Sequence, residues 1–228
     1  MDVRVATEFD TSQCPPPHGG QRILHAGAAV ADAKIVMILL HGRGAGPHDI
    51  ISVAEAYDLP GVCYLAPGAA DDSWYPQLFT SPLEANAAAV ESAHALIEAL
   101  LGLLAEEGFP PERCVLGGFS QGACLASDHA FRYPRRYGLI VGYSGGLIGG
   151  LDHAFEPQGD LEGTPVELSC GDADPFIPWP RVEQTAEVLT AMSAEVELEK
   201  YPGLPHSISR TQVDKTTVRL QALIDGAN

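Results

Sequence analysis

The sequence predicts an α/β domain with a mostly parallel central sheet and helices on both faces. Short apolar runs rich in β-branched residues alternate with segments of helical periodicity, and this alternation is typical of parallel strands joined by helical crossovers. The chain has 228 residues, of which 46% are hydrophobic and 19% charged, an ordinary balance for one globular domain. We therefore expect a single domain over 1–228. Its first part, 1–20, is expected to be irregular, with a proline- and glycine-rich end.

Six short runs are predicted strands, and the first two of them have the apolar sequences of buried strands. The six runs are 34–40, 62–66, 114–118, 139–143, 166–169 and 196–201. The predicted helices are 48–57, 82–107, 121–132, 182–192 and 211–224. The longest helix follows Ser81-Pro82-Leu83-Glu84, a pattern typical of a capping box with proline at the first helical position. Because active sites of such sheets form at the carboxyl ends of the strands, the loops that follow the strands are the ones to inspect.

The charge of the chain argues against two classes of partner. The formal net charge is -17, which repels nucleic acid and anionic membrane surfaces. The longest uninterrupted apolar run, Ile35–Leu40, is too short to span a bilayer, and the polar start Met1-Asp2-Val3-Arg4 does not resemble a secretory signal. We expect a cytoplasmic protein without a nucleic-acid partner and without stable membrane association.

The five cysteines do not form a recognisable metal-binding or disulfide pattern. Their number is odd, no CxxC occurs, and no cysteine–histidine pair has ligand spacing. We expect small buried thiols in a reducing compartment and no metal site.

The strongest chemical motif is Gly118-Phe119-Ser120-Gln121-Gly122. This G-x-S-x-G pattern lies between a predicted strand and a predicted helix, which is the context of a nucleophile elbow. The serine of such an elbow occupies a strained turn, and glycines on both sides avoid clashes with the strand and the helix. Ser120 at the helix N-terminus is therefore the candidate nucleophile.

A nucleophilic serine needs a base and an acid that orients the base. His153 and His206 are the histidines well downstream of Ser120; His206 follows a strand and precedes the last helix, whereas His153 follows no strand. We therefore predict His206 as the base. Asp172 and Asp174 both follow the strand at 166–169, and we favour Asp174, three residues after Gly171, as the acid, leaving the other aspartate to cap the turn.

The oxyanion of an acyl transfer needs two fixed N–H donors. One should be the amide of Gln121, directly after the nucleophile, and the other the amide of Arg43 in the glycine-rich loop 41–46. We expect His41 to organise this loop by hydrogen bonds. The alternative interpretation of the loop, a dinucleotide site, needs G-x-G-x-x-G, but the position of the last glycine is Pro47.

These motifs together resemble the phospholipase/carboxylesterase family of α/β-hydrolases, which includes acyl-protein thioesterases and small bacterial carboxylesterases. The matching segments lie at 40–44, 118–123, 171–178 and 202–206, and the resemblance extends over about 20–225. It implies the α/β-hydrolase fold, no cofactor, a triad of Ser120, Asp174 and His206, and oxyanion amides on Arg43 and Gln121. The sequence departs from the family in Leu204-Pro205, directly before the histidine.

The resemblance also implies where the substrate binds. The segment 71–76 is similar to one that lines the pocket in the bacterial subgroup, so Trp74 and Tyr75 are expected substrate contacts, as are Gly42 and Ile177 from the other motifs. The expected partner is a small-molecule ester, and the expected state is a monomer or homodimer.

The expected function is hydrolysis of carboxylic esters or thioesters through an acyl-enzyme, with small soluble short-chain acyl esters as substrates. Lysophospholipase, acyl-protein thioesterase, perhydrolase or acyl-transferase activity would use the same triad. A rival of another class is a catalytically inactive ligand-binding module, but such a module would have lost a triad residue, and the sequence retains all three.

Overall fold

A computed structural model describes residues 1–227, which form one eight-stranded sheet with helices on both faces. The strands are β1 Val3–Val5, β2 Ile23–Gly27, β3 Ile35–Leu40, β4 Val62–Pro67, β5 Cys114–Phe119, β6 Leu139–Tyr143, β7 Pro165–Gly171 and β8 Glu195–Tyr201. Their order across the sheet is β1-β2-β4-β3-β5-β6-β7-β8. Strands β3 to β8 pair in parallel, which confirms the predicted architecture.

Two antiparallel strands extend the sheet beyond the predicted ones. β2 pairs with β4, and β1 pairs with β2. The prediction of an irregular segment over 1–20 is therefore wrong at Val3–Val5. Three residues on a sheet edge are too few to show an alternating pattern in the sequence, so their strand conformation depends on pairing with β2.

The helices are α1 Pro47–Tyr57, α2 Ala87–Glu106, α3 Gln121–Arg132, α4 Trp179–Ala191 and α5 Arg210–Gly226. The core on one face of the sheet contains α2, α3 and α4, and the core on the other face contains α1 and α5. Side chains of β3 alternate between the two cores, with Val36 in the first and Met37 in the second. The central strands β3, β4 and β6 are thus buried on both sides, as their continuous apolar sequences require.

The longest helix begins later than predicted. Residues Leu83–Ala85 form a 3₁₀ turn, and α2 starts after Asn86. The buried Asn86 side chain accepts a hydrogen bond from the Gln77 amide at 2.9 Å and donates one to the Leu78 carbonyl at 3.0 Å. These bonds tie the preceding loop to the helix start, so a tertiary contact overrides the local capping signal at Ser81.

Helix α2 is long and apolar enough to cross a membrane by length and composition, but half of its most apolar window is buried inside the protein. Its buried residues recur with helical spacing, from Val90 through Ile97 to Leu104, and they face the core. The apolar composition of α2 is accounted for by this packing.

A buried polar cluster joins α3 to α2. The Asp128 carboxylate accepts hydrogen bonds from His94 Nε2 at 3.0 Å and from Arg132 Nε at 2.5 Å. Burial acts to raise the pKa of Asp128, but these partners outweigh burial and hold it below its ordinary value. The charge therefore persists in the core and holds the helix that carries Ser120 at its amino end.

The close approach of α3 to the sheet depends on a glycine. A Cβ on Gly122 would lie 2.0 Å from the carbonyl oxygen of Leu40, far inside van der Waals contact. No side chain can be accommodated without moving α3 away from β3, and with it the turn at Ser120.

Gly122→Ala is expected to destabilise the protein by about 1–3 kcal/mol through this overpacking. Gly102→Ala is the matched control: Gly102 lies inside α2 with no atom within 4 Å of a Cβ, and alanine there should stabilise by up to about 1 kcal/mol. Urea unfolding measures both. Equal stability of wild type and Gly122→Ala would contradict the packing argument.

Candidate active site

Ser120 occupies a sharp turn between β5 and α3. Its backbone has φ 56° and ψ −117°, a conformation that side-chain-bearing residues rarely adopt. The amide of Ser120 donates to the Tyr143 carbonyl at 2.9 Å, and the carbonyl of Ser120 accepts from the Cys124 amide at 3.0 Å. The strained turn is thus held by β6 on one side and by the first turn of α3 on the other.

Three side chains from three different strand ends form a hydrogen-bonded chain at this turn. His206 Nε2 lies 2.9 Å from Ser120 Oγ, and His206 Nδ1 lies 2.7 Å from Asp174 Oδ2. The geometry is that of a nucleophile, a general base and an acid that orients the base. The residues chosen from the sequence are the ones that the fold brings together.

Asp174 is held as a carboxylate at the inner end of this chain. Its Oδ1 accepts hydrogen bonds from the amides of Phe176 at 2.9 Å and Ile177 at 3.1 Å. Burial acts to raise the pKa of Asp174, but the hydrogen bonds from His206 and the two amides outweigh burial and hold it below its ordinary value. A charged Asp174 fixes a hydrogen on His206 Nδ1 and leaves Nε2 free to accept a proton.

The neighbouring aspartate has a different part in the site. Asp172 Oδ1 accepts the Gly203 amide at 2.6 Å, across the loop that leads to His206. It caps the turn, as expected for the aspartate not chosen. His153, the other downstream histidine, packs edge-on against Phe155 at a ring-centroid distance of 4.7 Å instead of joining the chain.

Two aromatic rings flank the imidazole of His206. The ring of Phe119 lies 4.7 Å from it between centroids, and the ring of Phe176 lies 5.0 Å away in an edge-on arrangement. These contacts limit rotation of His206 about its side-chain bonds. They hold the imidazole between Ser120 and Asp174, although Leu204-Pro205 departs from the family pattern before it.

The two expected oxyanion donors come from two different connections of the sheet. Gln121 is the first residue of α3, where backbone N–H groups lack an intrahelical acceptor, and Arg43 lies in the loop after β3. Within residues 1–227, neither amide donates to a protein acceptor. An N–H group without a protein acceptor can bind a developing negative charge, and the amide of Gln121 has the added advantage of a helix N-terminus.

The side chains of the same two residues hold one segment of backbone, residues 73–77. Gln121 Oε1 accepts the Trp74 amide at 2.8 Å, and Gln121 Nε2 donates to the Tyr75 carbonyl at 2.8 Å. The Arg43 guanidinium donates to the carbonyls of Pro76 at 2.9 Å and Gln77 at 2.5 Å. The segment 73–77 therefore connects both oxyanion donors and fixes one relative to the other.

Two buried histidines, His18 and His41, form hydrogen bonds with the backbone in and before this segment. The Ala69 amide donates to His41 Nε2 at 3.0 Å, so Nδ1 carries the hydrogen and donates to the Gly42 carbonyl at 2.8 Å. The Ala70 amide donates to His18 Nδ1 at 3.1 Å, and Nε2 donates to the Trp74 carbonyl at 3.0 Å. Burial lowers the pKa of both histidines, which favours these neutral tautomers.

The expectation that Trp74 contacts substrate disagrees with the structure. Its indole is fully buried between His18 and His41, with ring centroids 5.3 and 5.1 Å away, and its Nε1 donates to the His41 carbonyl at 2.9 Å. Trp74 therefore belongs to the core, whereas the adjacent Tyr75 lines the cleft at Ser120.

A surface depression of about 370 Å³ opens at Ser120. It is lined by Arg43, Tyr75, Leu78, Phe79, Ser120, Gln121, Cys124, Phe176, Ile177 and His206. Tyr75 and Ile177 lie there as expected, whereas Gly42 lines a neighbouring groove. The sequence did not predict the other lining residues Leu78, Phe79, Cys124 and Phe176. Cys124 carries a signal in the sequence, because it lies one helical turn after Ser120.

No group of three or more histidine, cysteine, aspartate or glutamate side chains able to hold a metal occurs in the part of the chain that the structure describes. The five cysteines are free thiols, and four of them are buried. Burial raises the pKa of Cys124, at the floor of the depression, to about 12, so this thiol is protonated at neutral pH.

A parallel sheet with a serine elbow after β5 and a histidine after the last strand defines an α/β-hydrolase. A family model described as Phospholipase/Carboxylesterase matches residues 26–224. The chain therefore belongs to the phospholipase/carboxylesterase family of carboxylic ester hydrolases.

Individual relatives agree with this assignment. A crystal structure of a phospholipase/carboxylesterase from Dyadobacter fermentans is 36% identical with a TM-score of 0.85, over 91% of this chain and 99% of that one. A probable carboxylesterase of Oryza sativa subsp. japonica is 29% identical over 87% of this chain and 82% of the relative. An acyl-protein thioesterase 1 of Gibberella zeae is 32% identical over 54% of this chain, and the match spans 53% of that protein's length.

Gln121→Met keeps the side-chain volume but removes the side-chain hydrogen bonds to Ser73, Trp74 and Tyr75 in the segment 73–77. We expect kcat for ester hydrolysis to fall about 10- to 100-fold, because the Gln121 amide is no longer held in place, with KM changed less than about threefold. Steady-state kinetics measures both. Gln77→Met is the control, because Arg43 contacts only the Gln77 main chain. An unchanged kcat in Gln121→Met would refute the positioning role.

Proposed function

We propose that the protein hydrolyses small soluble short-chain acyl esters through an acyl-enzyme on Ser120, with His206 as general base and Asp174 as the acid that orients it. The observation that carries the proposal is the continuous chain Ser120–His206–Asp174, with donor–acceptor distances of 2.9 and 2.7 Å. The proposed setting is the cytoplasm, and the proposed state is a monomer or homodimer.

The proposed cycle follows from this chain. His206 Nε2 takes the Ser120 proton as Oγ attacks the acyl carbon, and the amides of Arg43 and Gln121 hold the oxyanion. The imidazolium, stabilised by Asp174, then protonates the leaving alcohol or thiol. Water repeats the sequence on the acyl-enzyme and releases the acid.

The lining and depth of the depression at Ser120 favour a substrate with a neutral, short acyl group. Its walls are mainly apolar, and the guanidinium of Arg43, the cationic group beside it, is engaged by two backbone carbonyls. The buried Cys124 limits its depth. The net charge of -17 favours an uncharged soluble substrate over anionic lipid surfaces.

A second candidate function is hydrolysis of long-chain thioesters or lysophospholipids. Leu78 and Phe176 lie on the rim of the depression with 70% and 67% of their surface exposed. A long acyl chain that leaves the depression would cover these side chains and gain from their burial. The name of the Gibberella zeae relative is consistent with this alternative.

Ser120→Ala removes the nucleophile, and turnover of p-nitrophenyl esters should fall by roughly 10³-fold or more. Wild type assayed from acetate to decanoate separates the two candidate functions, because a short-chain esterase loses kcat/KM beyond about butyrate and a long-chain enzyme gains. Ser193→Ala, an exposed serine that precedes β8 at the opposite edge of the sheet, should retain full activity.

The binding-module interpretation makes the opposite prediction. It requires that wild type turns over none of these esters and that a fluorophosphonate fails to label Ser120. The binding-module interpretation is excluded if wild type hydrolyses an ester and Ser120→Ala does not. It is also excluded if the fluorophosphonate labels Ser120.

Asp174→Asn removes the charge that holds His206, and kcat should fall by roughly 10³- to 10⁴-fold. Asp172→Asn is the matched control: the asparagine oxygen can still accept the Gly203 amide, so kcat should stay within about threefold of wild type. Pre-steady-state release of p-nitrophenol measures acylation in both variants. A larger effect at Asp172 than at Asp174 would reassign the acid.

A further inference from the structure

A second depression borders His206. It has a volume of about 610 Å³, runs between α1 and the amino end of α5, and is not lined by Ser120. We call it the α1–α5 groove. It shares His206 with the depression that contains Ser120, so the imidazole stands between two separate spaces.

The walls of the α1–α5 groove are apolar. Ile50 and Val53 on α1 are buried at its floor, and the half-buried Phe119 and Ile208 form its sides near His206. Such surface gains free energy when an apolar group covers it.

The charged groups of the groove are already paired. The Asp49 carboxylate accepts the Gly46 amide at 2.7 Å at the start of α1, and Arg210 forms an ion pair with Asp214 at 2.7 Å. Asp49 keeps its negative charge and Arg210 is already ion-paired, so the groove disfavours an anionic occupant and favours a neutral one.

The tetrahedral intermediate has two organic substituents, and the site has two depressions. The acyl carbon is bonded to Ser120 beside the Gln121 amide, and both residues line the first depression. The leaving atom must lie within hydrogen-bond reach of His206 Nε2, because it takes the proton from that nitrogen. The groove that borders His206 but not Ser120 therefore suits the leaving group.

We propose that the α1–α5 groove binds the alcohol or thiol part of the substrate as a neutral, apolar alkyl or aryl group. This inference rests on the proposed function. In acylation the bond from Ser120 Oγ to the acyl carbon forms and the bond from that carbon to the leaving oxygen or sulfur breaks. The proton of Ser120 passes through His206 to the leaving atom, which departs along the groove.

Gly42 lies between Ser120 and the groove. It lines the groove, and a Cβ on it would lie 3.4 Å from Ser120 Cβ and 3.5 Å from the Phe119 ring. A larger side chain at this position would fill the passage from Ser120 to the groove. The expected contact between Gly42 and substrate is thereby assigned to the leaving-group side.

Two isomeric esters test the assignment. Hexyl acetate carries its long chain in the alcohol part, and ethyl hexanoate carries it in the acyl part, at equal composition. Ser52 is exposed on α1 and lines the groove, so Ser52→Phe should fill the groove with little change in stability. We expect kcat/KM for hexyl acetate to fall about tenfold, and kcat/KM for ethyl hexanoate to stay within about twofold of wild type.

Two control variants complete the experiment. His48→Phe places the same side chain on an exposed position of α1 outside the groove and should change neither ester. Leu78→Trp, on the rim of the other depression, should affect ethyl hexanoate more than hexyl acetate.

The outcomes are distinct. Equal effects of Ser52→Phe on both isomers, or a larger effect on ethyl hexanoate, would overturn the groove assignment while turnover by wild type continues. If the proposed function itself is wrong, wild type hydrolyses neither isomer and a fluorophosphonate does not label Ser120.

Discussion

The backbone of Ser120 is the constraint on which the site depends. Its φ of 56° and ψ of −117° are unfavourable for a residue with a side chain, and the surrounding packing maintains them. A Cβ on Gly118 would lie 2.4 Å from the carbonyl carbon of Gly122, and one on Gly122 would lie 2.0 Å from the Leu40 oxygen. Only glycine at both positions lets β3, β5 and α3 converge, and this convergence directs Oγ towards His206.

The positions of the oxyanion donors depend on a second level of organisation. The side chains of Arg43 and Gln121, whose backbone amides are the proposed oxyanion donors, both hold the segment 73–77. His18 and His41 fix the backbone just before that segment, each by accepting one amide hydrogen, from Ala70 and Ala69 respectively. Because protonation would remove these acceptors, the pKa values lowered by burial help to keep the segment in place. The position of the proposed oxyanion donors thus depends on hydrogen bonds of two neutral, buried histidines.

Local rules made much of this protein predictable from sequence. Short runs rich in strand-forming residues, separated by segments of helical periodicity, predicted the six parallel strands and five helices, because strands and amphipathic helices impose different spacings on apolar residues. The glycines around Ser120 identified the elbow, because few other residues tolerate its backbone. The order of Ser120, Asp174 and His206 along the chain then followed from their places after strands.

Tertiary structure decided what local rules leave open. Trp74 and Tyr75 are adjacent aromatic residues, and only the hydrogen bonds to Gln121 and His41 determine that the first faces the core and the second the cleft. Pairing with β4 and β2 made strands of segments too short to show a pattern, and Asn86 displaced the start of α2 by bonding to a loop. By itself the sequence determined which residues carry the chemistry and which strands they follow. The signals for this, the glycines around the nucleophile and the strand that precedes each residue, lie within a few residues of it in the chain. The tertiary structure decided which side chains line the cleft and how the donors are held, because those contacts join residues distant in the chain.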